Sequence, residues 1–181
     1  YDLKNRAWIK RHTIVDTGFT GALFANLYML TANERYGVFL IRFTERFIEA
    51  FFDPKSKFFA TTLDEKDRPY GGSFARGQAW ALEGLIPTFQ ALNIPDLENI
   101  IQANINNIVR VQLSNGGWSY NFDRPYLGED CKGVSVIAKS LMEWHRIRSD
   151  DRLHAAAERA LDWCARRTSR KGPSRGGIFS F

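Results

Sequence analysis

The stretch Gly71-Gly72-Ser73-Phe74-Ala75-Arg76-Gly77-Gln78-Ala79-Trp80-Ala81-Leu82-Glu83-Gly84 holds the pattern from which the fold is read. A glycine pair, suited to a loop, opens onto a run of small residues. Helical spacing continues to Leu92, so a helix is expected over 74–92. Small, uncharged residues on several faces mark a helix packed on all sides. The arrangement recurs about 55–60 residues away in both directions, a longer period than the common helical repeats. Asp16 to Thr31 carries Gly18, Gly21, Ala22 and Ala25. Asp130 to Ile147 carries Gly133, Ser135, Ala138 and Ser140.

Amphipathic helices separate these three. Glu34 to Phe52 sets Phe39, Phe43, Phe47 and Phe51 at i, i+4 spacing, with Arg42, Glu45, Arg46 and Glu49 on its other faces. A second opens at Pro95-Asp96, a favourable first turn, and runs to about Leu113. A third follows Ser149-Asp150-Asp151 and reaches about Arg167. The order is inner, outer, three times over. Inner-to-outer turns are short and carry Asn33-Glu34, Pro95-Asp96 and Asp150-Asp151. Outer-to-inner loops are long and glycine-rich, carrying Gly71-Gly72, Gly116-Gly117 and Gly176-Gly177. The expected fold is all-α: an α/α toroid of three helical hairpins, in one domain over 1–181. Three hairpins leave open faces, so the chain reads as part of a larger ring, completed by more of the barrel or by a second chain.

Composition bounds the rest. Hydrophobic residues make up 44 % and aromatics 14 %, which excludes a disordered chain. Cys131 and Cys164 give no disulfide framework or metal pattern, and His12, His145 and His154 show no ligand spacing, so no metal site is expected. No apolar run spans a bilayer, and no membrane role is expected. No signal peptide is present; the compartment stays open, with the cytoplasm slightly favoured. The net charge of +5 suits an acidic partner, but there is no five-residue basic block, and nucleic acid is not the expected one. The densest basic run, Arg166 to Lys171, reads as a solvated helix end.

Chemistry is expected where the long loops enter the inner helices. Asp16, the group Arg76, Gln78 and Trp80, and Asp130 with Lys132 occupy equivalent places there. Asp16 and Asp130 also suit N-capping. Arg76 opposes the macrodipole and calls for an anionic partner, either an internal carboxylate or a ligand. Gln78 offers neutral hydrogen bonds, and Trp80 a flat apolar face or a core residue. Gly117-Trp118-Ser119-Tyr120, near Asp123 and Arg124, is a further stretch able to line a cleft.

The string Ser73 to Gly84 resembles a segment of the unsaturated glucuronyl and rhamnogalacturonyl hydrolases, glycoside hydrolase families 88 and 105. About sixty residues upstream, Thr13-Ile14-Val15-Asp16-Thr17 is similar to the segment bearing their catalytic aspartate, and Asp130 to Ala138 is in register with a later inner helix. The resemblance covers most of the chain and implies about half of an (α/α)6 barrel. It implies hydration of the C4=C5 double bond of an unsaturated uronic acid at the end of an oligosaccharide. Asp16 would be the acid and then the base, and the resemblance implies no metal or organic cofactor. Arg76 would pair with the uronate, Trp80 lie against its ring, and Gln78 meet hydroxyls, with Phe74, Trp118, Asp130 and Lys132 completing the binding set. Phe74 stands where the family usually has Trp, Glu83 where it usually has Tyr, and Lys132 in an Asp-Ser-Ser-like segment. Two other readings stay open: another uronate-processing toroid such as an epimerase, and a non-catalytic helical-repeat domain that binds glycan or protein.

Overall fold

A computed structural model describes residues 12–64, 66, 68–173 and 175–178; for 12–17 and Tyr70 it describes the backbone alone. Six helices carry the architecture: α1 Ile14–Thr31, α2 Glu34–Phe51, α3 Ala75–Leu92, α4 Pro95–Arg110, α5 Cys131–Arg148 and α6 Asp151–Arg166. Among the described residues no helix is long and apolar enough to cross a membrane.

The inner helices α1, α3 and α5 lie side by side, and α2, α4 and α6 back them. Residue pairings show that the inner three run parallel. Gly18 faces Trp80 and Gly21 faces Gly84 across the first seam. Arg76 meets Asp130, and Glu83 meets Lys139, across the second. Their N-termini therefore gather on one rim, together with the long loops. The first seam is possible only with glycine. A Cβ on Gly84 would lie 2.5 Å from the Gly18 carbonyl oxygen, and one on Gly18 would collide with the Trp80 carbonyl.

The amphipathic pattern explains the outer layer. Leu97, Ile101, Ile105 and Ile108 of α4 are buried against Leu82, Leu85, Ile86 and Phe89 of α3. Trp144 of α5 and Leu153, Ala156 and Trp163 of α6 extend the same core. Side-chain caps start three helices: Asn33 accepts from Arg35 N–H, Asp130 from Lys132 N–H, and Asp150 from Arg152 N–H. Asn93 and Ser149, in the left-handed conformation, end α3 and α5.

Two features differ from the sequence expectation. The loop between α2 and α3 holds two short strands, β2 Thr62–Leu63 and β3 Pro69–Tyr70, which form a small antiparallel sheet with β1 His12–Thr13, the stretch just before α1, in the order β1-β2-β3. Helix α4 stops at Arg110 instead of Leu113, because Leu113 turns back and its N–H donates to the Gly117 carbonyl.

The first hairpin is apolar on its outer side. Phe19, Leu23, Met29 and Leu30 of α1 and Val38, Phe39 and Ile41 of α2 are exposed, Leu30 by 83 %. The Phe39–Phe43–Phe47–Phe51 ladder runs from this exposed face into the core, with successive ring centroids 5.3–6.2 Å apart. The third hairpin has no comparable face among the described residues; on α6 only Leu161 is a large exposed apolar side chain.

Candidate active site

Arg76 is the second residue of α3, in the half-turn where free N–H groups disfavour a cation. Its partner is Asp130, the N-cap of α5. Arg76 Nε donates to Oδ2 at 3.1 Å and Nη2 to Oδ1 at 3.0 Å, a two-pronged pair. Asp130 is only 3 % exposed and also caps Lys132 N–H, whereas the Arg76 side chain is 32 % exposed. Donating to the Asp130 carboxylate pushes the guanidinium pKa further above its already high value, so the cation is permanent. Gly133 lets the two helices close around the pair. A Cβ there would lie 3.0 Å from both the Ala75 Cβ and the Arg76 nitrogen.

The guanidinium stands between two aromatic rings, 5.9 Å from the centroids of both Trp80 and Tyr120. Phe74 meets Tyr120 edge-on at 4.8 Å. The loop carrying Tyr120 is stitched to the start of α3: Ala75 N–H donates to the Tyr120 carbonyl and Phe122 N–H to the Ser73 carbonyl. Asp123 accepts from Ser73 N–H at 2.7 Å, beside Gly72, whose φ of +86° suits glycine. The result is an open pocket of about 290 Å³ lined by Thr61, Thr62, Gly71, Phe74, Arg76, Gly77, Trp80 and Tyr120. That is near the lower end of the range for small-molecule sites, ~300–1,000 Å³. One permanent cation, three hydroxyl-bearing side chains and three aromatic rings suit a small anionic ligand with a ring face better than an extended apolar one.

Asp16 lies on the same rim. Helix α1 begins at Ile14, so Asp16 is its third residue rather than its N-cap, two residues before Gly18, which crosses Trp80. Its carboxylate lies outside the described residues. Lys132 is exposed in the first turn of α5 and does not line the pocket.

Two expected binding residues do not reach the pocket. Gln78 is fully buried: its Oε1 accepts from Phe59 N–H and Asn104 Nδ2, and its Nε2 donates to the Phe59 carbonyl. It serves the 52–60 loop as a strand partner would. Trp118 is also fully buried, and its indole N–H donates to the Ile108 carbonyl near the end of α4. Neither can meet a sugar hydroxyl or ring. Asp130 likewise spends its carboxylate on Arg76 and α5, so it positions the cation rather than contacting a ligand.

Tyr120, Thr61 and Thr62 are the pocket residues that sequence reasoning did not single out. Tyr120 lay within the Gly117–Tyr120 string; the threonines carried no signal beyond their place in a loop. Glu83 pairs with Lys139 at 3.1 Å, tying α3 to α5 about two turns below the rim. Among the described residues, no three His, Cys, Asp or Glu side chains converge as metal ligands.

No protein-family model matches the chain, and no curated protein does. Solved structures do. A glycoside hydrolase from family 105 of C. acetobutylicum ATCC 824 aligns with a TM-score of 0.77 at 14 % identity, over 92 % of this chain and 52 % of that one. The unsaturated glucuronyl hydrolase responsible for the degradation of glycosaminoglycan from Bacillus sp. GL1 aligns at 0.73 with 18 % identity, over 93 % and 50 %. The cellobiose 2-epimerase of Spirochaeta thermophila DSM 6192 aligns at 0.75 with 14 % identity, over 83 % and 42 %. The chain thus has the α/α-toroid fold of these carbohydrate-active proteins and spans about half their length.

Proposed function

We propose that the chain supplies half of an α/α barrel that hydrates the C4=C5 double bond of an unsaturated uronic acid at the end of an oligosaccharide. The observation that carries this reading is the Arg76 cation, held by Asp130 between Trp80 and Tyr120, at the mouth of a pocket sized for one sugar ring. Arg76 uses Nε and Nη2 on Asp130, and Nη1 has no hydrogen-bond partner among the described residues. That nitrogen receives the uronate carboxylate, and Trp80 or Tyr120 lies against the ring.

Asp16 is the acid and base. Its carboxylic acid protonates C4, and positive charge develops at C5 and the ring oxygen. Its carboxylate then takes a proton from the water that adds at C5. The hemiketal so formed opens and releases the neighbouring sugar. One carboxyl group serves both steps, in contrast to the paired carboxylates of most glycosidases. The remaining hairpins of the ring pack on the exposed apolar face of α1 and α2.

The conjugated double bond absorbs ultraviolet light and hydration abolishes it. The full-length gene product is expected to bleach one or more members of a panel of unsaturated oligouronides. Unchanged absorbance across the panel would overturn the reading. The shared fold of the Spirochaeta epimerase supports a second reading. In that case a uronate or neutral sugar would exchange a ring C–H with deuterated solvent while absorbance stayed constant.

A further inference from the structure

The rim carries a second feature that the pocket does not use. Of 25 basic and 20 acidic residues in the chain, six and one fall between Arg159 and Arg175, leaving 19 and 19 elsewhere. The whole net charge of +5 is therefore concentrated at the end of α6 and in the segment after it.

That segment is a hairpin. Thr168 pairs with Ile178, Ser169 N–H donates to the Gly177 carbonyl, and Gly176 N–H donates to the Ser169 carbonyl, both at 2.8 Å. Its tip presents Arg170, Lys171 and Arg175. All three are exposed, and none has an ion-pair partner among the described residues. A Cβ on Gly172 or Gly176 would meet nothing within 4 Å among the described residues, so none of them packs on the tip at either glycine. The root is fixed by Arg167, which binds Glu129 at 2.8 Å and lies 4.5 Å from the Trp163 ring centroid. Beside it, Arg159 and Arg166 line an open recess of about 170 Å³ with Ser114, Asn115 and Asp162. Their guanidinium groups donate to neutral oxygens, Gln112 Oε1 and the Asn115 carbonyl.

The hairpin is continuous with the pocket. Arg167 holds Glu129, Glu129 pairs with Ser119, and Tyr120 N–H donates to the Gly128 carbonyl. The loop that brings Tyr120 to the pocket is thus the loop that braces the cationic hairpin.

We propose that Arg159, Arg166, Arg170, Lys171 and Arg175 form a second binding surface, which holds an anionic polysaccharide by the regularly spaced carboxylates or sulfates of its chain. The choice of a polysaccharide rests on the uronate reading of the pocket. It is favoured over nucleic acid because the sole aromatic residue between Arg159 and Arg175 is Trp163, which is buried, so the stacking platforms that single strands use are missing there.

The test compares the full-length gene product with its R170E/K171E/R175E variant on immobilised polygalacturonate, a neutral glucan and single-stranded DNA across a sodium chloride series. The substituted side chains are exposed, and an unchanged unfolding midpoint confirms the fold. The wild type is expected to bind polygalacturonate but not the glucan, with affinity falling as salt rises, and the variant to bind at least about tenfold more weakly at low salt. Equal binding by wild type and variant, or tighter binding to DNA than to polygalacturonate, would overturn the proposal. Turnover of an unsaturated disaccharide, too short to span both surfaces, separates the two readings. Charge-dependent binding without turnover leaves this surface standing and removes the hydration reaction; turnover with equal binding does the reverse.

Discussion

Arg76 and Asp130 stand 54 residues apart and meet through two hydrogen bonds of 3.1 and 3.0 Å across the α3–α5 seam. The acid is buried and the base is a third exposed, so the pair points its free side toward the pocket. Asp130→Asn would keep a cap for α5 but leave Arg76 without its counter-charge. With Arg76 partly solvated, the loss is expected below the ~3–5 kcal/mol of a fully buried pair, at about 1–3 kcal/mol by chemical denaturation. Catalysis should show a larger rise in KM than fall in kcat, because the cation is misplaced rather than removed.

Gln78 gives a prediction of the opposite kind. Gln78→Ala leaves Phe59 N–H and an Asn104 amide proton without partners in a closed interior. Each orphaned group costs ~1–3 kcal/mol, so a stability loss of about 2–4 kcal/mol is expected. Amide exchange should quicken through residues 52–60. A residue that served substrate instead would leave stability unchanged and raise KM.

The helices and their alternation were legible in the sequence because each element is long and its period repeats. The expected starts and ends of α1, α2, α3, α5 and α6 fall within two residues of those observed. The three two-residue strands were not legible, since a period of two needs a longer run to register. Arg76 could be read as a cation in need of an anion; which anion depended on packing across a distant seam. Gln78 and Trp118 show the limit of residue type. An amide or an indole can serve a sugar or the backbone equally well, and only burial decides.

The Gly18–Gly84 crossing sets helix propensity against packing. Gly84→Ala should favour an isolated helix by up to ~1 kcal/mol. In the folded chain the new methyl meets the Gly18 carbonyl at 2.5 Å. Overpacking of this kind costs ~1–3 kcal/mol and more where backbone must move, so a lower unfolding midpoint is expected. A raised midpoint would mean that α1 and α3 do not approach this closely.

The apolar side of α1 and α2 tests ring closure. Phe19→Lys with Leu30→Lys should leave the stability of the isolated 181-residue chain within about 0.5 kcal/mol, because both side chains are exposed there. If further hairpins cover this face in the full-length gene product, the same pair buries two charges and lowers its unfolding midpoint sharply. Equal tolerance in both settings would show that the face stays open.

In the proposed reaction both proton transfers fall to Asp16, the third residue of α1 on the rim that holds Arg76. The decisive measurement is the rate of ultraviolet absorbance loss from an unsaturated oligouronide with full-length wild type and Asp16→Asn, alongside their thermal unfolding midpoints. A fall in kcat of at least about a thousandfold, with the midpoint little changed, is the result predicted for an acid that also acts as the base. Undiminished turnover by Asp16→Asn, or a large drop in midpoint with turnover retained, would contradict it.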